Sequence, residues 1–307
     1  MFFPALPTPV DGEVLLVCTC YRDGKALRGG LLDEIGARRD GDGFVIEGSE
    51  VRIRLVENTG WDFMHGGNVP ALVPAGGSAA SVVVLVDSSV AYGGGGPLLV
   101  DLAVIPGRGV RVPSARLGEI LAAVLGGELT FDHLVQDMDV DGMYQGDGGR
   151  PAFPAPVRLP RRTFPALPST VAPLLVRTSF DDEEAWQALL AELDAAGGLD
   201  PDEIDVEHYP LDARAVDDRA FEDLQPGQVP ALVPPEKHTT LVALADSRTF
   251  TEAERPLTVV DLYDTPGQAA VLPFRMVGSM ACNLEIANMD FREFVAHKDT
   301  RPWWEDS

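Results

Sequence analysis

Two aspartates stand inside apolar strand-like runs at the same place in the two halves of the chain, Asp101 in LLVDLAV and Asp261 in TVVDLY. A carboxylate in a buried strand must be paired or hydrogen-bonded. Two such acids facing one cleft could hold a divalent cation, or split their pKa values into acid and base roles. The competing explanation is a hydrogen-bond network that serves only the fold, and the residue types alone favour it. A second acidic motif, DMDVDG, puts Asp137, Asp139 and Asp141 at the first, third and fifth positions of a calcium loop, with Gly142 to make the turn. Gly148 stands where such a loop needs its bidentate acid, and a proline-rich stretch replaces the exiting helix. Calcium or another divalent cation is therefore an expectation resting on half a motif, against an ordinary acidic turn.

Other reactive residues carry less. His65, His133, His208, His238 and His297 occupy non-equivalent positions in the two halves, so no shared triad or zinc site follows. Cys18 and Cys20 lie on one face of the first strand, but their counterparts are Arg177 and Ser179, and Cys282 is remote. They read as reduced, small, buried residues and not as a disulfide framework. The GGGG run Gly93–Gly96 sits between two predicted strands, with neither Lys-Ser nor a helix behind it, and reads as a flexible connection, not a phosphate loop. Asp87 and Asp246 each end a strand before serine, which suits an Asx turn. The adjacent Trp303 and Trp304 of RPWWEDS suit a partner interface if exposed and a packed domain contact if buried.

What positions these residues is a duplication. FPALP at Phe3–Pro7 recurs at Phe164–Pro168, and VPALVP at Val69–Pro74 recurs at Val229–Pro234. From Asp101 to Leu134 the halves run at a constant offset of 160 without a gap. Repeats at one period mark repeated structural units. The copies span 1–145 and 164–307, joined by a Gly/Pro/Arg-rich linker over 146–163. Each opens on a buried strand, EVLLVCTC or PLLVRTS, followed by a helix. In copy two Asp181 and Glu184 form a D-x-x-E box ahead of Trp186, Leu189, Leu190 and Leu193 on one face. VRIRLVE, with 204–209 as its counterpart, predicts a second strand, and SVVVLVD and TLVALAD a third. A fourth and fifth strand flank a Pro-Gly turn. The last helix is the clearest periodic signal, Leu117, Ile120, Leu121 and Val124 matching Val277, Met280, Ala281 and Leu284. The expected fold is α/β: two tandem sandwich domains, each with a mixed sheet, in the order β-α-β-β-β-β-α.

Composition narrows the function. Acidic residues number 48 against 24 basic, with only three lysines, Lys25, Lys237 and Lys298. That field repels phosphate backbones and anionic lipid, so no nucleic acid and no membrane partner is expected, and it steers basic partners inward. No apolar run approaches the roughly 20 residues of a membrane helix. The start, MFFPALPTPVDGE, lacks the basic and continuous apolar regions of a signal peptide, so the chain reads as mature and cytoplasmic.

The pattern of copy two, LLVRTSFDDEEAWQALL, VPALVP, PLTVVDL, a Pro-Gly turn and NLEIANMDFREF, resembles an uncharacterised bacterial family known as a domain of unknown function. Copy one resembles it more loosely, with Ala123 and Glu128 where copy two has Asn283 and Asn288. The resemblance implies the domain and no activity. The functional expectation is a non-enzymatic acidic binding protein, a pseudo-dimer in one chain, acting as an immunity or inhibitor-like protein toward a basic partner. The rival is an enzyme or small-ligand sensor that uses Asp101 or Asp261 with a divalent cation.

Overall fold

The computed structural model describes residues 2–10, 12–20, 24–49, 51–74, 81–91, 95–146, 163–196, 209–236, 239–286 and 288–295. Copy one runs β1 (Glu13–Cys18), α1 (Gly24–Glu34), β2 (Ala37–Asp40), β3 (Gly43–Ile46), β4 (Arg52–Val56), α2 (Val69–Leu72), β5 (Val82–Val86), α3 (Ser88–Ala91), β6 (Leu98–Asp101), β7 (Gly109–Arg111), α4 (Leu117–Gly126) and α5 (Phe131–Gln136). Copy two runs β8 (Leu174–Arg177), α6 (Glu183–Ala196), β9 (Arg214–Val216), β10 (Leu241–Ala245), α7 (Ser247–Thr251), β11 (Leu257–Asp261), β12 (Ala269–Leu272), α8 (Phe274–Glu285) and α9 (Phe291–Val295). The molecule is two tandem α/β domains with mixed sheets, ordered β2-β3-β4-β1-β5-β6-β7 and β12-β11-β10-β8-β9. In each, the first strand lies inside the sheet and runs parallel to both neighbours, β1 to β4 and β5, β8 to β9 and β10.

The opening strands are continuous apolar runs because both faces of the sheet are covered, so alternate residues enter two different cores. Val14 and Leu16 pack with Leu117, Ile120, Leu121 and Phe131 on the helical face. Leu15 and Val17 pack with Trp61, Met64, Val69 and Leu72 on the other. Copy two repeats the division, with Leu175 against Trp186, Leu189, Val277 and Met280, and Leu174 and Val176 against Phe221, Val229 and Val233.

Three local expectations need correction. The parallel strand beside β8 is β9, at the same offset of 160 from Arg54–Val56, and not the run over 204–209, of which 204–208 lie outside the described residues. Two of the three β9 residues are exposed, so no alternating pattern announces the strand. Copy one also carries a β2–β3 hairpin not expected from its sequence, because its ARRD strand is largely solvent-facing and lacks an apolar period. Finally, α6 is capped by Asp182, whose Oδ1 accepts the Ala185 N–H at 2.8 Å, one residue after the expected Asp181.

Gly118 and Gly278 occupy the same position in α4 and α8 but have different surroundings. A Cβ at Gly278 would lie 2.1 Å from the Tyr209 carbonyl oxygen and 2.5 Å from the Leu211 nitrogen, both backbone. At Gly118 it would meet the Ile46 Cγ2 methyl at 2.5 Å. A side-chain methyl can move aside more cheaply than backbone, so Gly278→Ala is expected to cost about 3 kcal/mol and Gly118→Ala about 1 kcal/mol. Urea unfolding of the two variants checks the order; equal losses would contradict it.

VPALVP forms α2 in copy one, with Pro70 in its first turn, and the end of a 3-10 turn over Pro226–Leu232 in copy two; the chain then becomes extended at Val73 and Val233. These segments also form the seam between the copies. A Cβ at Gly107, whose φ of +92° already demands glycine, would fall 2.7 Å from Pro230 Cβ. The Asn68 side-chain amide donates to the Pro234 and Glu236 carbonyls at 3.3 and 3.2 Å. Backbone bonds cross from Gly67 N–H to the Leu262 carbonyl and from Gly109 N–H to the Pro266 carbonyl, at 3.3 and 2.8 Å.

Candidate functional site

Asp101 and Asp261 do not converge on an open cleft. Each is buried and closes the turn that follows its strand. Asp101 accepts the N–H groups of Ala103, Val104 and Ile105 at 2.9 to 3.0 Å, and Arg108 donates to it at 3.1 Å and to Asp132 at 2.6 Å. Asp261 accepts the N–H groups of Tyr263, Asp264 and Thr265 in the same manner. The position of Arg108 is held by Gln268 in copy two, so no guanidinium takes the place that Arg108 has at Asp101, and Arg111 of copy one acts on Asp261 only through its charge. Burial, with Asp264 adding a like charge, pushes its carboxyl up to about 7.

Asp139 likewise closes its own turn, accepting the Asp141 and Met143 N–H groups at 3.0 and 2.9 Å and the Gln145 amide. The Asp137 carbonyl takes the Gln145 N–H. Among the described residues no three His, Cys, Asp or Glu side chains, those of Asp137, Asp139 and Asp141 included, are arranged to hold a metal ion. Trp303 and Trp304 lie outside the described residues. Asp246 caps α7 through the Arg248 N–H at 2.8 Å, and Asp87 accepts the Val90 N–H at 3.3 Å while also bonding Arg111 at 3.2 and 2.7 Å.

An open crevice of about 410 Å³ lies in copy two, at the carboxyl ends of β8 and β10. From β8 the chain passes to β9 on one side, while β10 lies on the other; ligands of open α/β sheets bind in the gap such a switch leaves. Thr178, Ser179 and Phe180 leave β8 along one wall, and the segment Glu222–Pro226 makes a second. Asp246, Ser247 and Arg248 leave β10, with Thr258 of β11 beside them. The second wall is anchored by the Asp223 N–H, which donates to the Thr178 carbonyl at 2.9 Å from a left-handed residue at φ +64°. Phe180 is held between two guanidinium groups, Arg177 at 4.5 Å and Arg219 at 4.8 Å from the ring centre.

Four carboxylates line the crevice, Asp181, Glu222, Asp223 and Asp246, against one guanidinium, Arg248. That guanidinium is already engaged, bonding Asp246 at 2.9 Å and the Thr258 hydroxyl at 2.9 Å. Even with Arg219, 3.5 Å from Glu222, counted beside Arg248, carboxylates outnumber guanidinium groups, and the crevice carries a field that attracts cations. Copy one repeats the backbone and only part of the chemistry, keeping carboxylates at Asp62 and Asp87 where copy two has Glu222 and Asp246. Phe63 donates to the Thr19 carbonyl at 3.0 Å from φ +62°, but Phe63, Met64, Ser89 and Leu98 stand where copy two has Asp223, Leu224, Arg248 and Thr258. Of the crevice residues only Asp246, as a turn former, and Asp181, as a helix-capping residue, were singled out by motif, neither of them for binding. The signal was positional, the residues just past two parallel strands, and it required the strand order.

The fold and the crevice define a class, a tandem α/β protein with an acidic switch-point crevice in copy two and a shared seam. The chain belongs to the family described as a domain of unknown function, DUF6924, whose model matches residues 13–147 and again 172–305. No curated protein and no solved structure matches the chain. No described helix is long and apolar enough to cross a membrane.

Proposed function

We propose that the protein is a non-enzymatic, cytoplasmic binding protein that engages a basic protein partner, copy two inserting a cationic side chain of that partner into its crevice. An immunity or inhibitor-like role toward a basic toxin or nuclease is the concrete version. The observation that carries the reading is the crevice lined by four carboxylates whose single arginine is internally paired. The net charge of −24 adds long-range steering toward the same kind of partner. The alternative, strand carboxylates working with a divalent cation, finds no support in Asp101 and Asp261, because backbone N–H groups and, for Asp101, Arg108 already occupy their oxygens.

The test is calorimetric titration of the whole chain with a lysine- and arginine-rich peptide at low and at 0.5 M salt, roughly a Debye length of 4 Å in the latter. The triple variant Asp181→Asn/Glu222→Gln/Asp223→Asn is expected to weaken binding at least tenfold, about 1.4 kcal/mol. A control of equal charge change at exposed sites, Asp42→Asn/Glu47→Gln/Glu128→Gln, is expected to change it little. Equal losses in the two variants, or no binding at low salt, would contradict the reading.

A further inference from the structure

The seam between the copies contains charge that the crevice does not use. Asp261 and Asp264 share the turn after β11, Asp261 buried to 2% exposure and Asp264 half-buried. Asp264 Oδ2 accepts the Phe291 N–H at 2.9 Å, and its backbone carbonyl accepts Arg111 of copy one at 2.7 Å. Arg111 is committed to Asp87 through 2.7 and 3.2 Å bonds, and the adjacent Ser88 meets the Tyr263 hydroxyl at 2.8 Å. Asp290, ahead of α9, faces the pair as a further like charge. On the remaining sides stand His65, whose ring meets Tyr263 edge-on at 6.3 Å, Arg108 packed along Gly267, and the turn of Asp139 and Asp141, whose Gly142 lies against Thr265. Gln268, in the place of copy one's Arg108, spends its amide on the Val140 carbonyl across the seam at 2.9 Å. Copy one thus bonds its turn carboxylate directly to a buried guanidinium, whereas copy two sets two carboxylates in one turn on the face that meets its partner copy, with Arg111 attracting them across the seam without a side-chain ion pair.

We propose that the seam is a proton-responsive joint, closed while the Asp261–Asp264 pair keeps a proton and loosened when both carboxylates ionise. The inference is independent of the crevice and of what binds there. The sign follows from linkage. The Asp261 carboxyl is raised in the closed state and returns toward its ordinary value on opening, so the closed state binds more protons between those values. Closure is fully favoured only below the ordinary carboxylate value of 3.8 and weakens progressively as pH rises from there through about 7, the reverse of an ordinary salt-bridged carboxylate.

Amide hydrogen exchange on the full chain, corrected for intrinsic rates, tests the joint at pH 5.5 and 8. The Gly67 and Gly109 amides, which bond across the seam, are expected to exchange faster than amides inside β1 and β8 at both pH values. Their protection is expected to fall at least tenfold from the lower to the higher pH. Gln268→Arg, which restores copy one's cation, and the near-isosteric Asp264→Asn are each expected to reduce that fall to threefold or less. Seam protection that does not change with pH would overturn the proposal. So would a fall of wild-type size in both variants, or seam amides that exchange only as fast as those of the sheet cores.

Discussion

Replacing Arg108 with methionine is expected to destabilise copy one by about 3–5 kcal/mol, because it strands a carboxylate that the fold cannot hydrate. Arg108 is 3% exposed and donates to Asp101, itself 1% exposed, and to Asp132. Its guanidinium also lies 5.5 Å from the Phe131 ring centre, so methionine restores the apolar stem and not the charge. The three N–H donors to Asp101 remain, but they are partial charges facing a full one. A loss of that size shifts a transition of a domain this large by roughly 10 °C. The indole N–H resonance of Trp61, which donates to the Pro4 carbonyl at 2.7 Å, reports copy one during heating, and that of Trp186 reports copy two. The Trp61 signal is expected to melt early; an unchanged Trp61 transition would show that the pair does not hold the turn.

Trp186→Ala is the second large effect, expected to cost copy two about 3–5 kcal/mol. Trp186 is fully buried on α6, contacts Phe250 edge-on at 6.4 Å and lies 5.4 Å from the Arg177 guanidinium. Its N–H donates to Asp217 Oδ2 at 3.0 Å, fastening α6 to the segment after β9. Truncation removes that link and leaves a cavity between helix and sheet that neighbouring side chains can fill only in part. Arg177, 1% exposed, would lose an aromatic face while keeping Glu183 and Asp217. Trp186→Phe is expected to retain about half of the stability, because the ring is kept and the hydrogen bond is not. Urea midpoints for the two variants check both magnitudes, and an alanine variant within 1 kcal/mol of wild type would contradict the packing argument.

The duplication, the buried opening strands and the last helices were legible because each repeats a period that sheet or helix geometry imposes. Val14 to Val17 enter two cores alternately, and Val277 and Met280 share one helix face, as their spacing requires. What was not legible was built from residues without such a period. The β9 strand has one buried residue of three, and the β2 strand has none. Asp101 and Asp261 stood out correctly as buried acids, yet their oxygens are taken by N–H groups two to four residues onward, a matter of local turn geometry. The crevice was hidden for a different reason. Asp181, Asp223 and Asp246 are far apart in sequence and meet only because β8 lies between β9 and β10, a strand order that no local pattern specifies. VPALVP fell between these cases: its prolines and apolar residues suggested a joint, while its contact across the seam depended on how the copies dock.

The most direct measurement is a nitrogen-15 NMR titration of the whole protein with the lysine- and arginine-rich peptide at low salt. Saturable amide shifts are expected to concentrate at Thr178–Asp181, Glu222–Gln225 and Ser247–Arg248, the residues that line the crevice, and to fade at high salt. The equivalent positions of copy one, Thr19, Cys20 and Asp62–His65, are expected to stay in place. Shifts spread evenly over the acidic surface, or centred on copy one, would contradict the assignment of the crevice as the binding site.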